Sequence, residues 1–138
     1  MAQHAAPASR RRPGGAALAP TSPAVVLPFV AGTAYGFWAA NIQRYGEAVT
    51  GGNIALGFVT GILVAVLCFG IHQWSAAQAG RHFFARAGAW GVMAGVSIGF
   101  LHSLADGGIL WSVFLGAFIA AGVFIAVYYR YYSASEYV

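Results

Sequence analysis

Two side chains in this sequence have the types and spacing to do chemistry together, His102 and Asp106. On a helix that continues to Asp106, residues four apart share a face. A carboxylate there orients the imidazole and forms a proton-responsive polar pair, or half of a metal site. Two ligands fall short of the three or four that a metal site takes. The run Asp106-Gly107-Gly108 is also a turn signal in its own right. In that role Asp106 caps the helix that follows, and His102 sits at a helix C-terminus where the dipole favours it.

The other polar candidates are more isolated. Arg44 and Glu47 are three residues apart, the spacing of an exposed ion pair that contributes about 0 to 1 kcal/mol. His72 stands beside Gln73 and Trp74, and His82 lies in a basic segment with Arg81 and Arg86. Neither has a nearby acid or nucleophile, so both read as interfacial polar residues. Cys68 is the single cysteine, which rules out an intrachain disulfide and leaves a small core or lipid-facing residue. No G-x-S-x-G, H-E-x-x-H, P-loop or C-x-x-C pattern occurs. The expectation is a protein that is not an enzyme, with no catalytic, cofactor-binding or metal-ligating residue.

The elements that carry these residues follow from where charge is missing. Pro13 to Gln43, Ala48 to Gly80, Ala87 to Ala105 and Gly107 to Tyr129 contain no Asp, Glu, Lys or Arg. A bilayer-spanning helix needs about 20 predominantly apolar residues, and each stretch is long enough for one. Charged residues make up 7% of the chain and apolar ones 59%, whereas a soluble domain carries about 25% charge. The predicted fold is therefore an all-α membrane protein, its four transmembrane helices forming two helical hairpins. The spans are placed at about residues 24–41, 53–74, 87–105 and 109–129, within a transmembrane domain over 24–138. Residues 1–23, rich in Ala, Pro, Ser and Arg, read as a disordered basic tail.

Orientation comes from counting arginines, because Lys and Arg near span ends are retained on the cytoplasmic side. An inside N-terminus puts Arg10, Arg11, Arg12, Arg81, Arg86 and Arg130 in the cytoplasm and Arg44 alone outside. Both termini are then cytoplasmic, in the cell membrane. Trp38, Tyr45, Trp74, Trp111 and the cluster Tyr128, Tyr129, Tyr131, Tyr132 and Tyr137 mark the boundaries, where amphipathic rings collect. Ser75 to Arg86, with Phe83 and Phe84 among its bases, reads as a segment lying along the headgroups. The net charge of +4 does not indicate nucleic acid, because no basic patch with interleaved stacking aromatics appears.

Small residues supply the packing. In lipid, helices associate through close contact at small side chains rather than through the hydrophobic effect. Gly32 and Gly36, Gly57 and Gly61 with Ala65, and Gly91, Gly95 and Gly99 each recur at four-residue spacing on one helix face. They serve the interior of the bundle, a homo-oligomer or a larger membrane complex. A repeat also emerges: Ala31 to Phe37 and Ala94 to Phe100 share A-G-x-x-x-G-F, and Gly51-Gly52 and Gly107-Gly108 hold matching places in the turns that follow. Two hairpins of the same orientation are expected from it.

The stretch Ala31-Gly32, Tyr35-Gly36-Phe37-Trp38-Ala39-Ala40, then Ile42-Gln43-Arg44-Tyr45-Gly46 and Thr50-Gly51-Gly52-Asn53, with the closing Tyr128-Tyr129-Arg130-Tyr131-Tyr132, resembles small integral membrane proteins of high-GC actinobacteria. The resemblance covers residue 24 onward, and the absence of lysine beside seven arginines suits such an origin. It implies four spans in the cytoplasmic membrane and carries over no catalytic or binding residue.

None of the spans has an Asp, Glu, Lys or Arg at mid-depth, which argues against a proton-coupled or ion-coupled carrier. The leading expectation is a non-enzymatic structural or accessory subunit of the membrane. The alternative is a small homo-oligomeric transporter or channel, with Thr33, Thr60, Ser97 and Asn53 as an uncharged lining.

Overall fold

The computed structural model describes residues 19–42, 44 and 46–136. Residues 1–18 of the tail expected over 1–23, together with Gln43, Tyr45 and Tyr137, lie outside the described residues. Four helices follow in order: α1 (Pro23–Asn41), α2 (Gly51–Ala77), α3 (Phe83–Leu104) and α4 (Ile109–Glu136). All four are long and apolar enough to cross a membrane. At about 1.5 Å per residue even α1, of 19 residues, spans roughly 28 Å.

Local sequence sets the ends. Proline at the first position of α1 needs no partner for an absent N–H, and Ser22 precedes it in an extended conformation. Thr50 opens α2 with a reciprocal cap: its Oγ1 accepts from the Asn53 N–H, and Asn53 Oδ1 accepts from the Thr50 N–H at 3.1 Å. That cap starts α2 two residues before the span expected from hydropathy. The segment Ser75 to Arg86, expected along the headgroups, is mostly helical. α2 runs on to Ala77, and α3 begins at Phe83 after a turn containing Gly80 at φ 77° and His82 at φ 52°. α4 likewise extends past Tyr129 to Glu136, carrying its final polar turns beyond the apolar span.

The chain packs as two antiparallel hairpins, α1 with α2 and α3 with α4, and the hairpins meet far less extensively, chiefly along α2 and α3. Burial is inverted relative to a soluble protein. No large side chain is fully buried among the described residues, whereas Phe29, Phe37, Phe58, Phe118 and Trp111 are mostly exposed. Glycines and alanines fill the helix contacts instead, as expected where lipid solvates the large apolar side chains. A Cβ added at Gly36 would strike the Gly57 carbonyl oxygen, and one at Gly95 would strike that of Gly116. These backbones approach so closely that no other residue fits at either place.

Candidate functional site

The two hairpins carry the same surface twice. Beside its helix contact each holds an open apolar groove, about 450 Å³ in the first and 570 Å³ in the second. The α1 wall of the first is formed by Phe29, Gly32, Thr33, Gly36, Phe37 and Ala40, and adding 63 to these positions gives the α3 wall of the second, Val92, Gly95, Val96, Gly99, Phe100 and Ser103. The α2 wall, Ile54, Gly57, Phe58, Gly61, Ile62 and Ala65, becomes the α4 wall, Ile109, Ser112, Val113, Gly116, Ala117 and Ala120, on adding 55. Six of the twelve pairs are identical. The repeat read in the sequence is thus a repeat of helix register as well. Of the seven packing glycines, Gly32, Gly36, Gly57 and Gly61 meet one another across the first hairpin. Gly91, Gly95 and Gly99 meet Ala120, Gly116 and Ser112 across the second.

α3 stops short of the second residue of the expected polar pair, His102 and Asp106. α3 ends at Leu104, and Asp106 adopts a left-handed φ of 58° in the turn, where the Gly107 N–H donates to the His102 carbonyl. The helix does not continue to Asp106, so the shared helical face is not formed. The turn signal prevailed over the i, i+4 spacing because Gly107 and Gly108 permit a four-residue connection to α4. His102 Nδ1 lies 2.9 Å from Ser112 Oγ on α4. Ser112 is buried, and its hydroxyl also donates to the Gly108 carbonyl at 3.1 Å. The result closes the turn of the second hairpin. Ser112 left no mark in the sequence beyond a lone hydroxyl in an apolar span.

At the opposite end of the molecule, the basic end, a second polar cluster ties three helices together. Arg86 Nε on α3 donates to Ser75 Oγ on α2 at 2.8 Å, and its guanidinium carbon sits 3.8 Å from the centre of the Tyr131 ring on α4. Ser75 Oγ is also 3.1 Å from the Tyr131 hydroxyl. Both Arg86 and Ser75 are buried. The sequence marked Arg86 only as a topology signal, since its partners lie 11 and 45 residues away.

Several other polar side chains are satisfied within their own helix, whereas the buried Gln73 Nε2 has no hydrogen-bond partner among the described residues. Thr33 donates to the Phe29 carbonyl, Thr60 to that of Leu56, and Asn53 caps α2. Of the four residues considered as a pore lining, Thr33 alone lines either of these two grooves, and the carbonyl of Ser97 receives the Tyr35 hydroxyl at 2.7 Å across the two hairpins. Arg44 donates to the Glu47 carbonyl through Nε and Nη2. Cys68 and His72 line a third cavity of about 330 Å³ with Pro28 and Trp90. Among the described residues no three His, Cys, Asp or Glu side chains gather as a metal site requires.

Comparison with known proteins finds no matching family model, no matching curated protein and no matching solved structure.

Proposed function

We propose that this four-span membrane protein is a non-enzymatic structural or accessory subunit, which seats an apolar helix of a partner chain against each hairpin. The observation that carries this reading is the pair of equivalent grooves. Each is floored by glycines and walled by large exposed side chains such as Phe58 and Val96. Close backbone approach at small residues is how helices associate in lipid. The scattering of Thr33, Thr60, Ser97 and Asn53 weighs against a hydrophilic path through one copy. The basic end faces the cytoplasm in this reading, since Arg81, Arg86 and Arg130 lie there. The resemblance to small actinobacterial membrane proteins supports the same location.

The test is purification of a tagged chain from native membranes in mild detergent, with co-purifying chains identified by mass spectrometry. A stoichiometric foreign chain is expected, and the groove-filling substitutions Thr33→Trp and Val96→Trp should release it while the protein remains in the membrane. Recovery of the chain alone as a homo-oligomer, with solute flux in liposomes, would replace the accessory reading with the transport one.

A further inference from the structure

We propose that Arg86 is the phosphate-binding cation of a lipid site at the basic end of the bundle, taking the headgroup phosphodiester of an anionic phospholipid. Arg86 is only 8% exposed, and a guanidinium stays protonated wherever it is placed. A buried cation requires an anion or a dense set of acceptors. Here the described partners are both neutral. Ser75 Oγ accepts from Nε, and the Tyr131 ring covers one face of the plane. Among the described residues, hydrogen bonding from Arg86 engages Nε only.

The chain has little anionic charge to offer. Its 138 residues include three carboxylate side chains, of which Glu47 and Asp106 sit in the turns at the other end of the bundle. Glu136 is exposed in the last turn of α4, more than one helical turn beyond Tyr131. Cations are more abundant at this end: Arg81 and Arg130 are both exposed there. Counter-charge for Arg86 therefore comes from outside the chain. The Nη edge of a guanidinium matches two oxygens of a phosphate. Phosphate is also the anion this depth supplies, because exposed Trp74, Tyr128, Tyr129 and Tyr132 mark the headgroup boundary at this end. Ser75 and Tyr131 fix the guanidinium from two other helices, so the site is built before a ligand arrives.

The experiment is native mass spectrometry of the full chain, purified in mild detergent and exposed to equal amounts of phosphatidylglycerol and phosphatidylcholine. The wild type should retain one phosphatidylglycerol with about tenfold preference, the size of a charge-assisted hydrogen bond. Arg86→Lys, which keeps the charge but loses the guanidinium fork, should keep only part of the preference, Arg86→Gln should abolish it, and Arg81→Gln should leave it largely intact. Loss of preference to the same degree in Arg81→Gln and Arg86→Gln would reduce the effect to diffuse surface charge and overturn the site. Absence of preference in the wild type would overturn it without any variant, which keeps the test decisive if Arg86→Gln does not fold. If inorganic phosphate raises the wild-type melting temperature as far as phosphatidylglycerol does, the site takes free phosphate and the lipid assignment falls.

Discussion

The first and second hairpins are built on one packing scheme and finished in two ways. Gly36 against Gly57 in one corresponds to Gly99 against Ser112 in the other, and Gly32 against Gly61 to Gly95 against Gly116. The turns differ: residues 42–50 join α1 to α2, whereas only 105–108 join α3 to α4. Where the second hairpin has the hydrogen-bonded His102 and Ser112, the first has Ala39 and Gly57. At the basic end, Ser75 of the first corresponds in register to Arg130 of the second. The lesson is that backbone proximity at small residues sets the hairpin, while polar side chains at the ends are free to specialise.

The largest expected effect tests the shared part. Gly36→Val and Gly95→Val each place a side chain against a carbonyl oxygen of the facing helix, which cannot withdraw without separating the helices. Each should cost about 3 kcal/mol or more by detergent unfolding, at the upper end of overpacking penalties. A large loss in one hairpin beside a small loss in the other would break the equivalence.

Next comes the basic end, where the hairpins differ. Ser75→Ala removes the acceptor of a buried guanidinium and should destabilise by about 1 to 3 kcal/mol. Unchanged unfolding would show that the Tyr131 ring alone suffices to hold Arg86. A smaller loss, about 1 kcal/mol, is expected for His102→Ala, in keeping with hydrogen bonds between membrane helices. Ser112→Gly, which installs the residue of the first hairpin, should cost a similar amount. The double variant should cost little more than either single one, because both remove the same bond. Full additivity in that cycle would show that the bond contributes nothing.

The smallest effect sharpens the match between the grooves. Thr33→Val installs the residue found at the corresponding place in the second, Val96, and the Thr33 hydroxyl bonds only within its own helix at 2.8 Å. Unfolding should shift by less than about 0.5 kcal/mol. A larger change would mean that Thr33 has a task its counterpart lacks.

Much of the fold was legible in the residues because its causes are local. Charge-free length gives a span and A-G-x-x-x-G-F written twice gives two hairpins of one design, whereas the helix starts at Pro23 and after the Thr50–Asn53 cap precede the spans expected at 24 and 53. The sites were less legible. His102 and Asp106 satisfied a helical spacing rule, but the glycines after Asp106 ended the helix first. Nothing near Ser75, Arg86 or Tyr131 in sequence connects them, and hydropathy places all three merely near span ends.

By itself the sequence determined that this chain lives in a bilayer and which helix faces are small enough to pack, because solvation in lipid depends on composition and period alone. Tertiary structure decided which glycine meets which carbonyl, that His102 bonds Ser112, and that Arg86 is buried on Ser75 and Tyr131. Those outcomes depend on the register in which helices slide past one another. Register is fixed by the sum of many backbone contacts, which no single segment encodes.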